Sequence, residues 1–150
     1  MNARGFALAE VLVILTIVGA LATLVTPTLL SYARTAALQA AARELATSIN
    51  LGRQLAISRN TTVCVEVASP TDIRLRTGGC GGVIWTGPGT DGAGAIKIAD
   101  SGALRLSAPA PVVFTSLGAA TPAGSYTLTH AVDNGIRTVV VAATGRVSVR

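Results

Sequence analysis

The chain has 150 residues and a formal net charge of +5, from eleven arginines and one lysine set against seven carboxylates. That length suits one domain and leaves little room for a second. Half of the residues are hydrophobic but only 3% are aromatic and 13% charged, so a core must come from Val, Ile, Leu and Ala; the scattered basic residues, never two in a row, argue against a nucleic-acid partner on charge alone.

From Phe6 to Leu30 the chain reads FALAEVLVILTIVGALATLVTPTLL, with Glu10 as its one ionisable residue. A bilayer core of ~30 Å takes roughly 20 apolar helical residues, so this segment predicts a membrane-spanning helix. Arg4 is the only charged side chain ahead of it, which places the N-terminus in the cytoplasm and everything after Leu30 outside. Two plainer readings compete. A secretory signal has a shorter apolar region, roughly 7–15 residues, and Ser31-Tyr32-Ala33 makes a poor cleavage site. An uncleaved anchor is the other. Neither accounts for Glu10, because a carboxylate inside an apolar helix costs on the order of 2–3 kcal/mol and calls for a partner. The helix macrodipole eases that cost without explaining it.

Arg4-Gly5-Phe6-Ala7-Leu8-Ala9-Glu10-Val11-Leu12 resembles the processing site of type IV prepilins and type II secretion pseudopilins. The resemblance implies that a membrane-embedded prepilin peptidase and methyltransferase cuts between Gly5 and Phe6 and then methylates the Phe6 amine. It also implies that Glu10 meets the amine of a neighbouring subunit during assembly. The chemistry is coherent. Gly5 leaves the backbone unhindered, and cleavage creates a positive amine whose pairing removes the burial penalty of the carboxylate. Ala7 and Ala9 stand where Thr and Ile are commoner. Gly19 and Pro27 fit a helix that bends, since proline removes one backbone hydrogen bond.

The helical pattern continues past the apolar segment. Leu38, Ala41, Leu45, Ser48 or Ile49, Gly52 and Leu55 recur at three-to-four-residue spacing, with Arg34, Arg43, Glu44 and Arg53 elsewhere around the helix. One helix is expected from about Phe6 to about Arg59, ended by Asn60-Thr61. Beyond it the period becomes two. Strands are expected at Val63–Val67, Ile73–Arg76, Val83–Trp85, Ala95–Ile98, Leu104–Leu106, Val112–Phe114, Tyr126–Thr129, Arg137–Ala142 and Val147–Val149. Turn signals separate them at Ser69-Pro70, Gly78-Gly79, Asp91-Gly92, Ser101-Gly102, Asn134-Gly135 and Thr144-Gly145. With no second helix for parallel crossovers, pairing should be antiparallel. The fold class is therefore α+β: a long membrane-spanning helix packed on a small antiparallel β-sheet or a two-sheet head. Four segments follow: a cleaved leader at 1–5, a transmembrane or filament-core half of the helix at 6–30, an amphipathic half at 31–59, and a β-rich periplasmic head at 60–150.

Cys64 and Cys80 flank the first expected hairpin. On the outer side of a membrane they would share an oxidising compartment. A disulfide would close a 17-residue loop and stabilise by very roughly 3 kcal/mol; the alternative is two small buried thiols. No metal is expected, because the one histidine, His130, is distant and further ligands are missing. Gly87-Pro88-Gly89-Thr90-Asp91-Gly92 satisfies GxGxxG, but a strand rather than a helix follows, so it reads as a Gly-rich loop and not a dinucleotide site. Asp91 and Asp100 are weak calcium candidates. His130 and Asp133 come with no nucleophile motif, so neither catalysis nor a cofactor is expected.

The head resembles the GspH/FimT family, the H-type minor pseudopilins and their minor-pilin relatives. That resemblance rests on Ala41-Ala42-Arg43-Glu44-Leu45-Ala46, Arg53, Ala56-Ile57-Ser58-Arg59, Val63-Cys64, Cys80, Trp85 and Gly145-Arg146-Val147-Ser148-Val149. It implies a structural minor pseudopilin of a type II secretion system. Such a subunit sits in inner-membrane lipid, meets an assembly platform there, and joins other pseudopilins through its N-terminal helix in a periplasmic pseudopilus. Glu10 argues for insertion among other subunits, since the member thought to cap the tip typically lacks it. The alternative is a minor pilin of a type IV pilus. Some of these bind DNA through a terminal Gly-Arg-any-Arg motif. Here Ser148 replaces the second arginine; Arg150 shares the strand face of Arg146 at about 13 Å, with Arg137 as a candidate third member on the paired strand. The plainer reading of these arginines, solvated charges guarding a sheet edge, is preferred.

Overall fold

The computed structural model describes residues 3–99 and 102–150, with the backbone alone at 3–6 and 24–27. Asp100 and the Ser101 half of one turn signal lie outside the described residues, as do the side chains of Phe6 and Pro27. Helix α1 spans Ala3–Ser58. The chain divides into two compact units, Met1–Ala36 and Ala37–Arg150. Within the first, every described side chain from Ala7 to Thr23 is exposed. An 18-residue window there reaches a mean hydropathy of 2.5, long and apolar enough to cross a membrane.

The second unit is the head. It opens with the C-terminal part of α1, whose end is set by a left-handed residue. Asn60 has φ 47°, the Thr61 amide donates to the Ala56 carbonyl at 3.1 Å, and the Asn60 amide donates to Ile57 at 3.2 Å. This paired closure satisfies carbonyls that would otherwise be orphaned at the helix terminus.

Among the described residues nine strands follow: β1 Val63–Ser69, β2 Asp72–Thr77, β3 Val83–Ile84, β4 Ala95–Lys97, β5 Leu104–Ser107, β6 Val112–Phe114, β7 Gly124–His130, β8 Ile136–Val141 and β9 Val147–Val149. They form two antiparallel sheets. The first runs β3-β2-β1-β6, with β4 also on β2; the second runs β5-β7-β8-β9. Alternation sorts each strand by face, so Val63, Val65, Ile73, Leu75, Val112 and Phe114 of the first sheet are buried, as are Leu104, Leu106, Tyr126, Leu128, Val139 and Val141 of the second.

Leu38, Ala41, Ala42, Leu45, Ile49 and Ala56 of α1 join that core. Fully burying a Leu or Ile side chain contributes about 1.5–3 kcal/mol. Gly52 lets the helix come close: a β-carbon there would stand 3.1 Å from both Leu75 and Val65.

Hydrogen bonds tie the sheets together. The Tyr126 hydroxyl of β7 donates to the Val65 carbonyl of β1 at 2.8 Å and accepts from the Val112 amide of β6 at 3.3 Å. At the other end, the Leu106 amide of β5 donates to the Pro70 carbonyl in the β1–β2 turn at 2.7 Å.

Candidate functional site

Three groups of residues carry the functional expectations, and the structure places each differently. The Gly5–Phe6 bond lies in the helical backbone near the start of α1. Glu10 follows one turn later on an exposed surface, beside Ala9, Val13 and Ile14.

Cys64 and Cys80 are joined in a disulfide, with their α-carbons 5.0 Å apart. Cys64 points to the outer face of the first sheet yet is fully buried, because the Gly78–Gly82 loop folds over it. That loop is held by the Gly78 amide donating to the Thr62 carbonyl at 2.8 Å. Arg76 adds a bond from Nη1 to the Gly82 carbonyl at 3.2 Å. The same guanidinium donates through Nε to Glu66 at 2.7 Å, while Arg74 stands 3.9 Å from that carboxylate. Half-exposed pairs of this kind contribute little to stability by themselves; their effect here is to fix the loop.

The C-terminal arginines do not form the expected trio. In β8–β9, Val139 faces Val149 and Val141 faces Val147, so these four share the inner face. Arg146 and Arg150 therefore fall on the outer face, and Arg150 pairs with Thr138 through two backbone bonds of 2.8 and 2.9 Å. Arg137 has the parity of Val139 and lies opposite Leu128, a buried residue. It belongs to the other face of the sheet, which corrects its proposed grouping with Arg146 and Arg150.

Gly145, ahead of those arginines, has a packing role that sequence reading missed. Its φ is +78°, and Gly118 on the β6–β7 loop has +79°. Arg53 of α1, off the apolar stripe in the sequence pattern, reaches between them and donates through Nε to the Gly118 carbonyl at 2.9 Å. The turn is further joined by the Ala120 amide donating to the Ala143 carbonyl at 3.0 Å.

The remaining motifs are occupied by local structure. Gly87 packs over the Trp85 ring, where a β-carbon would collide with it. Asp91 accepts from the Ala93 and Ala95 amides at 2.9 and 2.7 Å, which uses its Oδ1 to close the loop before β4. Among the described residues no group of three or more His, Cys, Asp or Glu could hold a metal. His130 is 6% exposed, with Nδ1 2.9 Å from Asp133 and 3.3 Å from the Val132 amide. This arrangement braces the β7–β8 turn.

The family model described as type II transport protein GspH matches residues 41–145. No curated protein matches the sequence. The crystal structure of the type IV minor pilin FimU of Pseudomonas aeruginosa superposes with a TM-score of 0.57 at 18% identity, covering 75% of this chain and 87% of that one. The minor pseudopilin EpsH from the type 2 secretion system of Vibrio cholerae gives a TM-score of 0.60 at 14% identity, covering 76% of this chain and 96% of that one. At such identities the likeness is one of fold. It identifies a pilin-like architecture shared by a pilus protein and a secretion protein.

Proposed function

Because the chain belongs to the GspH family of type II transport proteins, we propose that it is a structural minor pseudopilin that enters a periplasmic pseudopilus. The observation that carries this reading is the family match across residues 41–145, which covers the head and the helix segment beneath it. The family consists of structural subunits rather than enzymes. The apolar first unit of α1 fits anchoring in an inner membrane.

In this reading the prepilin peptidase cuts between Gly5 and Phe6 and methylates Phe6. The subunit waits in the bilayer with its head outside. Assembly then pairs Glu10 with the amine of a neighbouring pseudopilin, neutralising two charges in a low-dielectric setting where either alone is costly. The test is deletion of the gene in a host that carries both a secretion system and pili. Secreted proteins should accumulate in the periplasm while pilus-dependent motility persists; the reverse pattern would sink the secretion reading. Chromosomal Glu10→Gln should give a processed, membrane-held subunit that fails to enter the pseudopilus.

One observation favours a second reading as a type IV minor pilin that takes up DNA. Arg146 and Arg150 share the outer face of the second sheet, and none of its four strands contains Asp or Glu. Duplex DNA binding measured across a salt series decides it. Each phosphate neutralised steepens the log–log slope by about 0.9. A slope that shrinks in Arg146→Ala and Arg150→Ala would favour uptake, whereas no binding at low salt retires the arginine hypothesis.

A further inference from the structure

Val132 and Ile136 bracket the turn between β7 and β8, and they are 64% and 55% exposed. Single exposed apolar residues are ordinary on a protein surface, but two on one short turn call for a cover. The polar groups of this turn are directed inward. The His130 amide donates to the Gly135 carbonyl at 2.9 Å, the Ala131 amide to the Ala103 carbonyl at 2.6 Å, and the Asn134 amide to the His130 carbonyl at 2.9 Å. Asp133 accepts from the Gly135 amide at 3.2 Å and lies 2.9 Å from His130 Nδ1. Backbone donors already bonded within the protein leave water at little cost, whereas unsatisfied ones do not. The turn thus holds apolar side chains outward on a backbone whose own needs are largely met.

Position selects what covers it. A β-carbon built on Gly135 would stand 3.4 Å from Leu38, the first buried residue of the head on α1. Leu38 comes eight positions after Leu30, the last residue of the apolar segment. That is about 12 Å of helix, and under ~30 Å even for a fully extended chain. The covalent connection alone keeps this end of the head beside any bilayer that holds the apolar segment, whatever the angle between anchor and head. Another exposed apolar residue, Leu117, sits on the β6–β7 loop, where Gly118 adjoins Ile57. Ile57 lies nineteen residues beyond Leu38, about 28 Å further along α1, so Leu117 marks the opposite end of the head.

A basic side chain flanks the apolar pair. Arg105 of β5 is exposed and faces Thr129, which in turn faces Ile136, so Arg105 and Ile136 share one row of the outer face. Two strand spacings, about 10 Å, separate them. A long guanidinium side chain beside branched hydrocarbon suits a lipid interface, with the charge at phosphate level and the hydrocarbon below it. We propose that, before assembly, the β7–β8 turn rests in the outer leaflet of the membrane that anchors the chain. Val132 and Ile136 are the inserted side chains, and Arg105 meets the lipid phosphates. This contact rests on the reading of α1 as a membrane anchor, and it gives the head a second, reversible hold on the same bilayer.

The experiment reconstitutes the full-length protein into vesicles of phosphatidylethanolamine and phosphatidylglycerol, with and without bromine on the acyl chains. Tryptophan is introduced singly by Val132→Trp, Ile136→Trp and, as a control at the far end, Leu117→Trp. Emission of the unsubstituted protein, which comes from Trp85, is subtracted. Val132→Trp and Ile136→Trp should emit at shorter wavelength than Leu117→Trp and be quenched by brominated lipid roughly threefold more strongly. Adding Arg105→Ala to Val132→Trp should reduce that quenching; an unchanged value overturns the part given to Arg105. Both turn positions are exposed, and if one variant fails to fold the other decides. Equal quenching at all three positions, or none at the turn, overturns the proposal. So does crosslinking of a photoreactive residue at position 132 to a pilin-like subunit without lipid quenching, which assigns the turn to an interface between subunits. The anchor is tested separately, by flotation of the unsubstituted protein with the vesicles in alkaline carbonate. A floating protein with an unquenched turn sinks the head contact alone, and a protein left in the aqueous fraction sinks both.

Discussion

Gly145 and Gly118 meet with no room between them: a β-carbon built on Gly145 would lie 1.8 Å from the Gly118 carbonyl oxygen. Arg53 closes the contact from the helix side by donating to that same oxygen. The glycine of the Gly145-Arg146 pair is therefore required by the fold, whatever the arginine does. Both glycines also sit at positive φ, where an L side chain is strained. Gly145→Ala should cost at least about 2 kcal/mol by combining backbone strain with collision, read as a lower melting midpoint. Arg146→Ala should stay within about 0.5 kcal/mol of the parent, so arginine substitutions give clean binding tests and the glycine substitution does not.

Gly52 presents a graded case. Its virtual β-carbon is 3.1 Å from two flexible methyl groups, of Leu75 and Val65. Alanine gains up to about 1 kcal/mol in helix propensity and loses it again to small shifts, so Gly52→Ala should be near neutral. Gly52→Leu overfills the helix–sheet seam and should destabilise by about 1–3 kcal/mol in denaturant unfolding. A tolerated leucine would mean that the helix does not press on β1 and β2 as described.

Tyr126→Phe removes one hydroxyl and strands two backbone groups, the Val65 carbonyl and the Val112 amide. The expected loss is about 1–3 kcal/mol. The pH dependence follows from the same group. Burial, opposed only by the bond from Val112, raises the Tyr126 hydroxyl above its ordinary value of 10.0. The folded head thus favours the neutral phenol, and ionisation favours the unfolded chain. This contribution is whole below pH about 10 and falls as pH climbs through and beyond it, by up to about 1.4 kcal/mol per unit. Urea unfolding at pH 9, 10 and 11 should show a steeper alkaline decline in the parent than in Tyr126→Phe.

The disulfide gives a fourth expectation. Cys64 and Cys80 are 16 positions apart, and opening a loop of that size should cost roughly 3 kcal/mol in the chain-entropy view. Melting with and without reductant measures it. Cys80→Ala should match the reduced parent, because Cys80 is exposed and leaves no cavity. Cys64→Ala should be no more stable than that, since its sulfur is buried.

Much of this architecture was legible in the sequence, for a physical reason. Secondary structure is written in local periodicity, and the chain switches from a helical repeat to strict alternation at Asn60-Thr61. All nine strands could be placed because valine, isoleucine and leucine alternate with polar residues between Gly and Pro turns. Register is a different kind of information. Which residue of β8 faces which residue of β9 depends on the Thr144-Gly145 turn and on long-range packing, and Arg137 was misplaced on that account. The stacking of Gly118 on Gly145 joins segments whose proximity no local pattern encodes. Glu44, legible in the sequence as a charge off the apolar stripe, is exposed in the structure as that pattern implies.

The bond from the Leu106 amide to the Pro70 carbonyl has a consequence for how the head forms. It joins the two sheets at one margin, as the Tyr126 hydroxyl joins them elsewhere, and both bonds link residues far apart in sequence. Neither sheet can mature as an independent kernel, because each leaves backbone groups that only the other satisfies. The head should therefore appear in a single step, slowly for its size, since distant segments must meet before any of these bonds can form. Fluorescence of Trp85 in the first-sheet region and tyrosine fluorescence from Tyr126 in the second should report one shared rate.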